Sequence, residues 1–135
     1  MPVQLEIVSP TRLLLSRDVD MVTMPAYEGD LTAQEQHAPM ITLLRGGVIS
    51  IYEGSNVTDR FFVAGGFAEI TPDRCTILAY EVVPVSELTT DRAKARVETA
   101  EAGWEAVDKQ DITARDAAMD ALLSAREELR VAGQG

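Results

Sequence analysis

The sequence predicts an α+β chain, with an N-terminal all-β sandwich over residues 1–86 and a C-terminal antiparallel two-helix hairpin over residues 87–135. Three observations predict it. All six prolines (Pro2, Pro10, Pro25, Pro39, Pro72 and Pro84) precede Ser86, and none follows it. Short β-type runs separated by glycine and proline turns fill the first stretch. Beyond it, apolar residues recur at the spacing of a helix.

In the first stretch, Val3, Leu5 and Ile7 alternate with Gln4 and Glu6, the period of a half-buried strand. Ser9-Pro10 stops it. Residues 13–15 and 19–24 make two further runs, the second ending at Pro25. Glu28-Gly29-Asp30 reads as a turn, and residues 31–39 as polar and irregular. Gly46-Gly47 opens a strand over 48–52, and Glu53-Gly54-Ser55-Asn56 turns the chain back into 57–64. Gly65-Gly66 interrupts before 67–70. Thr71-Pro72-Asp73 suits a type I turn, because proline presets φ at its second position. Residues 75–80 and 82–85 finish the series. Eight or more short strands at this spacing indicate a sandwich or barrel.

In the second stretch, Ala93, Val97, Ala100, Trp104 and Val107 form one apolar seam, and Ala118, Leu122, Ala125, Leu129 and Ala132 form another. Thr90 followed by Asp91 suits the start of the first helix, and Thr113-Ala114-Arg115-Asp116 resembles a capping box for the second. The link over 109–112 is short enough to force an antiparallel pair, and Gly133 is a natural stop. A buried alanine methyl contributes only about 0.8 kcal/mol, against roughly 1.5–3 for a leucine. The hairpin is therefore expected to be the mobile part, opening at less cost than the strands.

Composition narrows the function. The net charge is −10, with 11 acids to 5 bases in residues 1–86 and 11 to 7 in residues 87–135. Such a chain repels phosphate backbones and anionic lipid surfaces, which argues against nucleic acid and against direct membrane insertion. No apolar run approaches the roughly 20 residues that span a bilayer, and Met-Pro-Val-Gln-Leu-Glu-Ile lacks the features of a secretory signal. The single cysteine, Cys75, excludes an internal disulfide and four-ligand zinc patterns; it reads as a buried, inert thiol in a strand. His37, the only histidine, lies in Gln36-His37-Ala38-Pro39 with no partner pattern for catalysis or metal binding. Gly65-Gly66 fits a bend or bulge, having neither Walker nor Gly-x-Gly-x-x-Gly spacing. Nothing assembles an active site, a metal site or a cofactor site, so a non-catalytic protein is expected.

Several segments, taken in order, carry a resemblance. They are Leu5-Glu6-Ile7-Val8-Ser9-Pro10, Pro25-Ala26-Tyr27-Glu28-Gly29-Asp30, His37-Ala38-Pro39, Leu44-Arg45-Gly46-Gly47-Val48-Ile49, Phe62-Val63-Ala64-Gly65-Gly66-Phe67-Ala68-Glu69 and Asp91-Arg92-Ala93. Their order, with the alanine-rich hairpin, resembles the epsilon subunit of the F-type ATP synthase. The resemblance implies a ten-stranded β-sandwich and two helices in a central rotor stalk, where the sandwich joins the gamma subunit to the membrane c-ring and performs no chemistry. It implies that Glu28, Gly29 and Asp30 meet the c-ring, that His37, Ala38 and Pro39 belong to stalk contacts, and that the hairpin reaches the alpha and beta subunits. It places the chain peripherally on the cytoplasmic face of a bacterial inner membrane, in proton-driven ATP synthesis.

Two positions depart from the family pattern. Glu35-Gln36 stands where Pro-Gly is common before His-Ala-Pro. Some members bind ATP through Ile/Leu-Asp-x-x-Arg-Ala at the first helix; here the run is Leu88-Thr89-Thr90-Asp91-Arg92-Ala93, with Thr89 in place of aspartate. Arg92 is the candidate ATP-phosphate ligand, and its plainer reading is an exposed arginine near the helix start. In some members the hairpin inhibits hydrolysis through basic residues. Arg115, Arg126 and Arg130 here are offset by Asp116, Asp120, Glu127 and Glu128, which argues against strong electrostatic inhibition.

Overall fold

The computed structural model describes residues 3–34 and 37–134. Ten strands come first: β1 (Val3–Ser9), β2 (Arg12–Val19), β3 (Met21–Ala26), β4 (Gly29–Ala33), β5 (Met40–Leu44), β6 (Gly47–Glu53), β7 (Asn56–Val63), β8 (Gly66–Ile70), β9 (Arg74–Ala79) and β10 (Val82–Pro84). A single 3-10 turn at Val85–Glu87 leads into α1 (Thr90–Ala106) and α2 (Ile112–Gln134).

The strands run in the order β10-β7-β6-β3-β5-β8-β9-β1-β2, with β4 added to β3. All pairings are antiparallel except β1 on β9. Folded over, the sheet closes on a core that includes Leu5, Ile7, Ile49, Ile51, Ile70 and Ile77, each 0–1% exposed. Arg17 of β2 pairs with Asp59 of β7, fastening strands from the two ends of the sheet order. The guanidinium holds the Asp59 carboxyl below its ordinary pKa.

Local readings needed three corrections in the strands. The run over 19–24 is broken at Asp20, whose carboxylate accepts the Gly54 amide at 2.6 Å. Pro25 does not end β3, which continues to Ala26. Proline is tolerated there because β6 pairs with Met21, Val22 and Thr23 while β5 begins only at Ala26, so the ladder on that side has a gap. Residues 31–33, expected to be irregular, belong to β4, which folds back on β3 through a turn at Tyr27-Glu28. Gly65-Gly66 is the expected bend; a Cβ on Gly66 would lie 2.1 Å from the Leu78 carbonyl oxygen, which explains glycine there.

In the hairpin the cap residues shift. Thr89, not Thr90, caps α1, its hydroxyl accepting the Arg92 amide at 3.3 Å. Asp111 caps α2, accepting the Ala114 amide at 3.2 Å, so Thr113 lies inside the first turn. Asp108 turns the link by accepting the Gln110 amide at 2.9 Å. Gly133 does not stop α2, which runs to Gln134.

Both apolar seams face inward, Ala93, Leu122 and Ala125 being buried and the other seam residues half-buried. A second buried face on α2 was not read from the sequence: Ser124, Glu128 and Val131, roughly 100° round the helix from the seam. This face packs on the sandwich. A Cβ on Gly46 would meet the Ser124 Cα at 2.7 Å, so only glycine lets the helix approach so closely. Phe62 alternates in β7 with the core-facing Phe61 and Val63, yet it is fully buried outside the sandwich core.

Candidate functional site

The turn between β3 and β4 projects Glu28, Gly29 and Asp30 into solvent, all three exposed. The two carboxylates are not equivalent. Arg45 donates from Nη2 to Asp30 Oδ1 at 3.0 Å and from Nε to the Ala26 carbonyl at 3.0 Å, so Asp30 has a partner within the chain. Glu28 makes no ion pair with any described residue. Beside them Tyr27 donates its hydroxyl to Asp120 Oδ2 of α2 at 2.8 Å. That hydrogen bond, followed by partial burial, raises the Tyr27 pKa. The turn and the hairpin are therefore joined.

His37, Ala38 and Pro39 lead into β5. Ala38 and Pro39 are exposed and His37 is half-buried, its amide donating to the Gln34 carbonyl at 3.3 Å and its Nδ1 lying 2.6 Å from the Ala38 carbonyl. Glu35-Gln36, where the chain departs from the family pattern, lie outside the described residues.

Past this loop the sheet presents a surface that sequence reading missed. Register aligns Leu43, Phe67, Leu78, Val8 and Leu13 in one row across β5, β8, β9, β1 and β2. The row faces away from the core, with Leu43 60%, Leu13 56% and Phe67 38% exposed. Ile41 adds to it at 72% exposed. Six apolar side chains on the outward side of adjacent strands make a contiguous patch of the kind that marks a protein contact. A signal for it was present: Leu13-Leu14-Leu15 and Met40-Ile41-Thr42-Leu43-Leu44 carry apolar residues at both strand parities, so one face cannot hide them all.

Arg92 stands on the first turn of α1, half exposed, and donates to Glu81 Oε1 at 3.0 Å. Next to it a cleft of about 560 Å³ opens between the helices and Ala64, lined by Arg92, Arg96, Thr99, Ala121 and Ser124 among others. Arg115 is 3.4 Å from Asp116, and Arg130 pairs with Glu127, which lowers the Glu127 pKa. Two of the three arginines of α2 are thus held by neighbouring carboxylates.

Cys75 is buried in the sandwich core, and burial pushes its thiol up to about 12. Among the described residues no group of three or more His, Cys, Asp or Glu is placed to hold a metal ion, and no described helix is long and apolar enough to cross a membrane.

Residues 2–85 match the family model described as ATP synthase, Delta/Epsilon chain, beta-sandwich domain. The chain is 57% identical over 122 residues to the ATP synthase epsilon chain of Granulibacter bethesdensis, covering 90% of each chain. It is 47% identical over 133 residues to the epsilon chain of Gluconacetobacter diazotrophicus, covering 98% of this chain and 94% of that one. A similar fold occurs in the Euglena gracilis mitochondrial ATP synthase OSCP/F1/c-ring assembly in rotational state 1 (TM-score 0.74, 22% identity, 93% of this chain and 78% of the other). The matched sandwich, the two helices after it and the near full-length identity agree: this chain belongs to the ATP synthase epsilon chain family.

Proposed function

We propose that this chain is a non-catalytic rotor subunit whose sandwich (residues 1–86) joins gamma to the membrane c-ring in the central stalk. The observation that carries the reading is the outward apolar row from Leu43 to Leu13. A stable interface needs an apolar centre with a polar rim, and this row supplies the centre. Gamma is its natural occupant, with His37, Ala38 and Pro39 at one end of the row, beside the start of β5. The turn bearing Glu28, Gly29 and Asp30 is assigned to the c-ring, with Glu28 the carboxylate available for a basic or amide partner.

Attachment through protein agrees with a net charge of −10, which disfavours direct contact with anionic lipid. The chain then sits peripherally on the cytoplasmic face of a bacterial inner membrane and supports proton-driven ATP synthesis. The hairpin (residues 87–135) is its regulatory candidate, modulating hydrolysis through alpha and beta when it moves.

Binding of the purified chain to gamma tests the reading. Phe67→Asp and Leu43→Asp on the exposed row are expected to weaken that complex at least about tenfold, as for centrally placed contacts, while the sandwich stays folded. Unchanged affinity in both variants overturns it. Glu28→Lys is expected to spare gamma binding and weaken attachment to the c-ring.

A second reading, nucleotide sensing at Arg92, is favoured by the cleft beside Arg92 and Arg96. Against it stands Glu81, which holds both guanidiniums. Titration of millimolar ATP into the purified chain separates the two: a thermal shift lost in Arg92→Ala supports nucleotide binding, and no shift removes it.

A further inference from the structure

Where the hairpin meets the sandwich, four charged side chains from three parts of the chain converge. Glu81 lies between β9 and β10, Arg92 and Arg96 lie on α1, and Glu128 lies on α2. Arg96 grips Glu81 with both arms of its guanidinium, Nη1 to Oε1 at 2.6 Å and Nη2 to Oε2 at 2.7 Å. The same Nη1 donates to Glu128 Oε1 at 2.8 Å. Arg92 adds a single contact to Glu81 at 3.0 Å. Glu128 is 1% exposed, and its second oxygen has no hydrogen-bond partner.

We propose that Arg96 is the latch that holds the hairpin on the sandwich, with Glu81 its anchor on the strands and Glu128 its anchor on the second helix. A bidentate arginine–carboxylate pair fixes orientation as well as distance. Arg96 alone touches both the sandwich and α2, whereas Arg92 touches only Glu81. Glu128 makes the arrangement consequential, because a buried carboxylate that loses its partner is strongly penalised. Undocking relieves that penalty by returning Glu128 to water. While Glu128 is buried, the docked hairpin thus depends on Arg96, and it needs no bound ligand, since the chain's own carboxylates occupy both arginines. The latch involves none of the sandwich's partners, so it stands apart from the rotor assignment.

Hydrogen exchange on the purified full-length chain tests it, read separately over residues 90–134 and over the strands. Arg96→Met is expected to speed exchange across both helices about tenfold or more and to leave the strands of the sandwich core unchanged. Arg92→Met is expected to have a smaller effect. The double variant Arg96→Met with Glu128→Met, which replaces the buried carboxylate and its half-buried partner by apolar side chains of similar length, is expected to recover most of the lost protection. Helix exchange unaltered in Arg96→Met overturns the proposal. So does a double variant as unprotected as the single one, because loss of packing and not an unpaired carboxylate would then explain the effect.

Discussion

In the sandwich, Leu5, Ile7, Ile49, Ile51, Ile70 and Ile77 bury one another almost completely. In the hairpin, α1 buries only Ala93, and α2 buries Leu122, Ser124, Ala125, Glu128 and Val131. The difference teaches how each part is held. The strands rest on apolar burial that is spread over many side chains and therefore survives the loss of any one contact in part. The hairpin rests on a few particular features: the close pass over Gly46, the Tyr27–Asp120 hydrogen bond and the Arg96 cluster. Local opening follows the density of buried apolar contacts, so the two regions are expected to open at different free energies.

The largest effect is expected in the sandwich core. Ile77→Ala removes a fully buried side chain from the middle of β9 and is expected to cost about 2–5 kcal/mol in chemical denaturation. Leu122→Ala is expected to cost the strands little and to act on the helices. Equal loss of strand stability in both variants means that the two regions are one cooperative unit. In the unaltered chain, amide exchange is expected to be faster over 90–132 than in β1, β6 and β9, and equal protection ends the distinction.

Gly46→Val tests the contact between the regions directly. The added side chain would collide with Ser124, and forcing atoms into a close-packed contact costs roughly 1–3 kcal/mol. Helix exchange is expected to rise while strand exchange holds. A folded variant with a fully protected hairpin would show that α2 does not depend on this approach.

The smallest effect is expected at Tyr27. Its hydroxyl bond to Asp120 is exposed, so Tyr27→Phe is expected to cost under about 1 kcal/mol of docking. Its pH dependence has a definite sign. The raised pKa means that the protonated hydroxyl is favoured in the docked state, so its contribution is complete below about pH 10, the value of a free tyrosine, and is lost as pH rises through the higher docked value. Ultraviolet titration of tyrosine ionisation, compared with the Asp120→Asn variant, checks it. A Tyr27 titration identical in both removes the coupling.

Much of the architecture was legible. Alternation at Val3, Leu5 and Ile7 and the 4-3 spacing from Ala93 to Trp104 are local signals, and each appears where it was read; Val107, read as the last seam position, is the extended residue that caps the end of α1. The strand β4 escaped because Gly29-Asp30-Leu31-Thr32-Ala33 has no β-branched run; pairing with β3 makes it a strand. The cap of α2 escaped because Thr113 and Asp111 both satisfy a capping pattern, and where α1 ends decides between them. At the candidate surfaces, the exposed turn at Glu28 was visible in sequence, but the pairing of Asp30 with Arg45 was not, since it depends on β3 lying between β4 and the end of β5, with Pro25 flanked by Asp30 on one side and Arg45 on the other.

By itself the sequence determined the periods: two in the strands, 3.6 in the helices, with prolines and glycines punctuating them. These follow from backbone geometry over a few residues and need no distant partner. Only the tertiary structure decided that α2 carries a second buried face, that Phe62 is covered, and that Arg96 reaches Glu81 and Glu128, which lie 15 and 32 residues away along the chain. A helical period shows which side chains share a stripe. It does not show which stripe another element will cover, because that depends on where the whole sheet brings Gly46 and Glu81.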